Sequence, residues 1–494
     1  MHHLSLKPTL LLILTLLLSS CAPQPTPELT LPIEPTLTSM PTLPTPAPTE
    51  KPRGQNPPYG QGSDASQSLD FILPDHPYSA ILGRPTSNSI TLSLLSATTQ
   101  TLTITYGTEN ATPQTISVSL QADIPQEFIL GDLTPDTSHF YSINDGEKHT
   151  FHTARPAGST FTFTIQADSH LDSNTSADVY LQTLANQRAD HPDFVMDMGD
   201  TFMTDKYKPY TDAAPQYLAQ RYFLSQLADT APLFLVLGNH DGEGTPRGKN
   251  GEEMSVWSAQ LRTQYFPNPV PNDFYTGNVT PHPTIGDLQN YYAFTWGDAL
   301  FIVLDPYWYT PPTKGNTENL WNPTLGEEQY QWLKSTLETS DAKWKFVFIH
   351  QLIGGLEKDG RGGVEVAPFH EWGGLNPDGS YGFDENRPGW GVPIHQLLVS
   401  NNVTAVFHGH DHLFVQQELD GIIYQEIPQP GSARPNSTDS AADYGYINGT
   451  ILGGPGHMRV TVSPEQVIVD YVRSYIEEKP AQQNGQVDFS YTIK

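Results

Sequence analysis

Leu233-Phe234-Leu235-Val236-Leu237-Gly238-Asn239-His240-Asp241 passes from five apolar residues straight into a glycine and three polar side chains. An unbroken apolar run of this length reads as a strand buried on both faces. The Gly-Asn-His-Asp stretch that ends it has no packing rationale, so it reads as part of a site at the carboxyl end of that strand. The same pattern recurs on either side. Residues 160–167 read as a strand that runs into Asp168-Ser169-His170, and residues 193–198 as a strand that runs into Gly199-Asp200. Helical segments at 177–188 and 216–228 separate these strands, giving a β-α-β-α-β run and hence a mainly parallel sheet. Downstream, strands are expected at 299–304, 345–349 and 403–407, with helices at 327–337 and 393–399 ahead of the last two. The second of these strands runs into His350 and the third into Gly409-His410-Asp411-His412. His408 reads as a strand residue. Beyond Phe414 the pattern turns antiparallel, through 460–462 and 467–469.

Open α/β sheets place their binding crevices at the carboxyl ends of the strands, so five separate segments would deliver Asp, Asn and His to one edge. Carboxylate, imidazole and amide oxygen, without sulfur, suit borderline divalent or trivalent metals such as Fe, Mn and Zn. Singly, each signal is weak: a D-x-H or H-x-H triplet arises often by chance, Asp168 could cap a segment, and His350 could be a satisfied core histidine. The joint pattern is strong, because five such elements each follow directly on an apolar strand.

The order D-x-H, G-D, G-N-H-D, lone H and G-H-x-H resembles that of the calcineurin-like metallophosphoesterases, to which the purple acid phosphatases are related. The resemblance covers residues 159–474 and implies an α/β fold, a metallophosphoesterase-type β-sandwich flanked by helices, with residues 475–494 left as a C-terminal tail. It implies a phosphoric ester hydrolase with a dinuclear metal centre and a bridging hydroxide nucleophile. Carried over by position, Asp168, His170 and His412 hold the first metal, Asn239, His350 and His410 the second, and Asp200 bridges them. His240 stays unligated, oriented by Asp241, and protonates the leaving alkoxide or stabilises its charge. One departure stands out. Purple acid phosphatases carry G-D-x-x-Y with an iron-bound tyrosine, but Gly199-Asp200-Thr201-Phe202 is followed by Met203, so no tyrosinate colour is expected.

The remainder of the chain has a different character. Its 494 residues exceed one small core, so two or more domains are expected. Between 75 and 156, short period-two runs such as Thr101-Leu102-Thr103-Ile104-Thr105-Tyr106 predict a small all-β sandwich. Its Leu133-Thr134-Pro135-Asp136-Thr137-Ser138-His139 resembles the L-x-P-x-T-x-Y stretch of fibronectin type III domains and of the N-terminal domain of purple acid phosphatases. His139 stands in the tyrosine position, which puts that tyrosine's corner hydrogen bond in doubt. Residues 22–74 are dominated by Pro, Thr, Ser and Gln and read as a tether or as a disordered adhesive segment. In polyproline II form such a tether could reach on the order of 140 Å. Residues 1–21 have a short apolar core ending in Leu18-Ser19-Ser20-Cys21, which resembles a bacterial lipobox. Lipidation of Cys21 would make this an extracytoplasmic, membrane-anchored lipoprotein. The alternative is an ordinary secretory signal. Cys21 is the only cysteine, so if it is lipidated, disulfides, cysteine-ligated zinc and a cysteine nucleophile are excluded.

A net charge of −29 repels phosphate backbones, which argues against nucleic acid as a stable partner and leaves a small phosphoester drawn in by local charge. There is no phosphate-cradling G-x-x-x-x-G-K-S/T loop, no G-x-S-x-G elbow and no G-x-G-x-x-G after a strand. Long loops at 242–288, 306–325 and 354–392 flank the expected catalytic edge; their aromatics either meet substrate or pack the loops down, and Arg361 and His370 could contact phosphate. Two other readings exist. A surface partner-binding lipoprotein with a structural or degenerate metal site would not need the His240-Asp241 pair, and a solute-capture component would need a two-lobed repeat that is not evident.

Overall fold

A computed structural model describes residues 72–244, 251–311, 319–355 and 360–494, all within one unit spanning Gln55–Lys494. The expected signal peptide and nearly all of the tether, residues 22–74, lie outside the described residues.

Two mixed sheets form the body of the region that follows the N-terminal strands. One has six strands, in the order Leu233–Leu235, Phe194–Asp197, Phe161–Gln166, Gly456–Val462, Val467–Arg473, Val487–Ile493. The other has eight and is centred on Ala299–Val303, Trp344–Phe348, Ala405–His408 and Ile422–Glu426, which run parallel. The two sheets make the β-sandwich flanked by helices that the resemblance implies, and the mainly parallel run read from the strand order is divided between them, each sheet having a parallel half and an antiparallel half. The reason lies in the side chains. Phe163, Phe194, Phe301, Phe346, Phe348 and Phe407 form one buried cluster between the sheets, with Phe163 edge-on to Phe301 at 5.2 Å between ring centroids. Alternate residues of the same strands, Val347 among them, face a second cluster with the helices Glu327–Glu338 and Ile394–Ser400. The helices Ala177–Ala189 and Ala214–Ala228 cover the outer face of the six-stranded sheet. Both faces of the central strands are thus buried, which is why they read as unbroken apolar runs.

The sequence reading ended this region at 474 and left 475–494 as a tail. Val487–Ile493 instead pairs antiparallel with Val467–Arg473 and forms the edge of the six-stranded sheet. Its alternating Val487, Phe489, Tyr491 and Ile493 place Phe489, Tyr491 and Ile493 against the inter-sheet core.

The N-terminal β-sandwich has three strands facing four. His139 is buried, and its Nε2 lies 3.0 Å from the carbonyl oxygen of Thr134, so the imidazole makes the corner contact usually made by a tyrosine. The sandwich docks on the Ala214–Ala228 helix through Arg221, a fully buried guanidinium that donates to Ser79 Oγ at 2.9 Å, to the Ser93 carbonyl at 2.9 Å and to the Tyr265 carbonyl. Tyr141 donates to the Asp229 carbonyl at 2.9 Å and closes the far end of this junction. Among the described residues no helix is long and apolar enough to cross a membrane.

Candidate metal centre

Three of the five strands that lead into the site end in turns of left-handed backbone. Asp168, His170, Asp200, His410 and His412 all have positive φ, between 51° and 84°. Non-glycine residues hold this conformation only where their surroundings over-determine it, and such residues cluster at functional sites. Glycines make the crowding bearable. A Cβ on Gly238 would run into the backbone nitrogen of Asp200, and one on Gly409 would come within 2.8 Å of Asp168 Oδ2.

The turns are tied to one another by the carboxylates themselves. Asp168 Oδ2 accepts the His410 backbone N–H at 2.9 Å, and Asp200 Oδ1 accepts the His240 backbone N–H at 2.7 Å. The second oxygen of each carboxylate is left to the centre of the site. Around Asp168 Oδ1 stand the Nε2 atoms of His412 at 3.5 Å, His170 at 3.7 Å and His350 at 3.9 Å. Around Asp200 Oδ2 stand those of His350 at 3.4 Å, His170 at 3.5 Å and His240 at 4.0 Å. Asn239 Oδ1 lies 3.1 Å from His350 Nε2. The seven side chains singled out in the sequence therefore converge on one place, and the imidazoles of His350 and His412 point at the same carboxylate.

Six of them fall into two groups able to hold a metal ion, Asp168–His170–His412 and Asp200–His350–His410, with the donor atoms of each group within 4.8 Å of one another, and the seventh, Asn239, reaches the second group through His350. Two metal-binding clusters of His and Asp are what a dinuclear site requires. The residues fit cations on a further count: Asp168 Oδ1 and His170 Nε2 are buried without a hydrogen-bond partner, a costly state that a bound cation would relieve.

Electrostatics divides the histidines. Burial pushes His410 down to about 3 and His412 to about 4, so both are neutral imidazoles at pH 7. Burial also acts to lower His350, but the carboxylates of Asp200 and Asp168 outweigh it and raise its value to about 9. Behind the rings, His350 Nδ1 donates to the Met198 carbonyl at 2.8 Å and His170 Nδ1 lies 3.4 Å from Asp172 Oδ2, which leaves each Nε2 facing inward.

The expected pairing of His240 with Asp241 is corrected by the geometry. The Asp241 carboxylate is buried and accepts the backbone N–H groups of Thr201 and Phe202 at 2.8 Å each and of Gly238 at 2.7 Å. It fastens two ligand turns together and has no contact with the imidazole. His240 Nδ1 faces Asp205, at 3.0 Å from Oδ1 and 3.1 Å from Oδ2. Of the two loop residues expected to contact phosphate, Arg361 is tied to Asp411 at 2.7 Å, and His370 is buried edge-on to Trp321. Met203 is buried next to Phe202, whose ring stacks on Tyr217 at 4.2 Å.

The calcineurin-like phosphoesterase family model matches residues 161–414, just over half of the 494-residue chain, and the chain belongs to that family. Among solved structures, PhoD is 16% identical, with 84% of this chain and 89% of that chain covered and a TM-score of 0.59. The purple acid phosphatase PPD1 from yellow lupin (Lupinus luteus) seeds is also 16% identical, with 84% and 73% covered and a TM-score of 0.54. Both likenesses extend to the fold, including the N-terminal sandwich. No curated protein sequence matches the chain.

Proposed function

We propose that the chain hydrolyses phosphomonoesters or phosphodiesters at a pair of metal ions, with Asp168, His170 and His412 holding one, Asn239, His350 and His410 the other, and Asp200 shared between them. The observation that carries this reading is the division of labour in the two carboxylates. Each gives one oxygen to the N–H of a neighbouring ligand turn and turns the other toward imidazole nitrogens at 3.4 to 3.9 Å. Two ions bound there, drawn from Fe, Mn and Zn, would polarise the phosphoryl oxygens and acidify water for an in-line displacement.

The chain's own residues supply the rest. Asp205 fixes the His240 ring, and Nε2 is left facing the site, 4.0 Å from Asp200 Oδ2. A proton held at Nε2 passes to the departing alkoxide oxygen, and the Asp205 carboxylate stabilises the imidazolium before that transfer. A paired His240 and Asp205 would have no purpose in a purely structural metal site, which favours the enzyme over a partner-binding lipoprotein. The substrate is a small phosphoester. Anchorage through Cys21 on the outer side of a membrane is proposed from residues 1–21 of the sequence alone.

The test is hydrolysis of an aryl phosphate, a bis-aryl phosphate and nucleotides by purified protein with Mn, Fe or Zn added. Metal-dependent turnover of at least one of them is expected. No turnover of any substrate with any of the metals would refute the reading.

A further inference from the structure

We propose that Asp411 is a positioning residue that clamps the turn carrying His410 and His412, so that one side chain sets the ligand geometry of both metal groups. The inference rests on the metal-binding reading above. His410 belongs to the Asp200–His350 group and His412 to the Asp168–His170 group, although only one residue separates them. Both hold positive φ, 84° and 62°, a conformation that persists only when it is enforced from outside the turn.

The enforcement comes through Asp411. Its side chain is buried, and both of its oxygens are engaged: Oδ1 accepts from Arg361 Nη1 at 2.7 Å, and Oδ2 accepts from the Gly362 N–H at 2.9 Å and the Tyr446 hydroxyl at 2.8 Å. The Asp411 N–H donates to Glu426 Oε1 at 2.8 Å, and Arg361 Nη1 also reaches the His410 carbonyl at 3.2 Å. The Arg361 guanidinium lies over the Tyr444 ring at 4.1 Å. Three segments far apart in the chain, at 361–362, 426 and 444–446, thus grip one residue. Tyr444, Tyr446 and Glu426 lie beyond the family match, which ends at 414. Outer partners that orient ligands are worth about 10- to 100-fold in metal affinity. Asp172 offers a contrast, because it faces His170 of one group only.

The experiment titrates Co(II) into the metal-free full chain, with absorption spectra and calorimetry as readouts. It is run on wild type, Asp411→Asn, Tyr446→Phe, Arg361→Gln and Asp172→Asn, alongside thermal melts of the metal-free proteins. Asp411→Asn is expected to weaken both binding steps by about 10-fold or more. Tyr446→Phe, which removes one hydrogen bond, is expected to weaken both by about 3- to 10-fold with an unchanged metal-free melt. Asp172→Asn should weaken one step and leave the other. If Asp411→Asn does not fold, Tyr446→Phe and Arg361→Gln decide the question alone. Asp411, Tyr446 and Arg361 variants that bind two ions as tightly as wild type, or that weaken a single step, overturn the clamp and leave the dinuclear site standing. A wild-type chain that takes up no cobalt overturns both.

Discussion

Asp205 holds His240 by its Nδ1, at 3.0 and 3.1 Å, across thirty-five residues of chain. Nε2 is therefore the ring nitrogen that faces the site, 4.0 Å from Asp200 Oδ2. Asp205→Asn should lower turnover of an alkyl phosphate by about 100-fold, with metal content unchanged. An aryl phosphate, whose leaving group needs no proton, should lose much less. Equal losses on both substrates would show that His240 is not the proton donor.

Asp241 belongs to the scaffold. Asp241→Ala orphans three buried N–H groups, those of Thr201, Phe202 and Gly238. Each unsatisfied donor costs about 1–3 kcal/mol, so chemical denaturation should register a loss of about 3 kcal/mol or more. A variant as stable as wild type would contradict the assignment.

The Asp190 carboxylate, away from the site, sets part of the acid stability. It accepts from His457 Nε2 at 2.7 Å and Arg459 Nη1 at 2.8 Å. Burial raises its pKa, but the bonds from His457 and Arg459 outweigh burial and hold it below the ordinary carboxylate value of 3.8. A carboxyl that loses its proton more readily in the folded chain stabilises the fold fully above the unfolded value, and that contribution fades as pH falls through the folded one. The stability gap between wild type and Asp190→Asn should therefore be widest near neutrality and narrow below about pH 4. A gap that widens in acid would reverse the sign.

Met203 stands where purple acid phosphatases carry their iron-bound tyrosine. Iron-loaded protein should accordingly show no tyrosinate charge-transfer band in its visible spectrum, and a purple preparation would refute this.

The metal groups were legible because each donor follows directly on a buried strand, so an apolar run marks where every ligand turn begins. What lay hidden depended on chain geometry away from the strands. Asp205 sits on the short helical turn Thr204–Lys206, and nothing in its neighbours points to His240. Asp241, next to His240 in sequence, suggested a pairing that the tight Gly238–Asp241 turn does not allow, because its carboxylate is drawn to backbone N–H groups on the opposite side. The last strand was legible and passed over: Val487, Phe489, Tyr491 and Ile493 alternate with period two. The splitting of the parallel strands between two sheets came from the family resemblance and not from the strand pattern, since a β-α-β run fixes the direction of a strand but not which sheet it joins.

Asp200 is the residue on which the account turns, because its Oδ2 lies between His170 and His350 of the two groups. The most direct test is elemental analysis and phosphoesterase assay on the same samples of wild type and Asp200→Ala. Two ions per wild-type chain are predicted, with metal-dependent hydrolysis abolished in the variant. Full turnover by Asp200→Ala, or by wild-type protein stripped of metal, would contradict it.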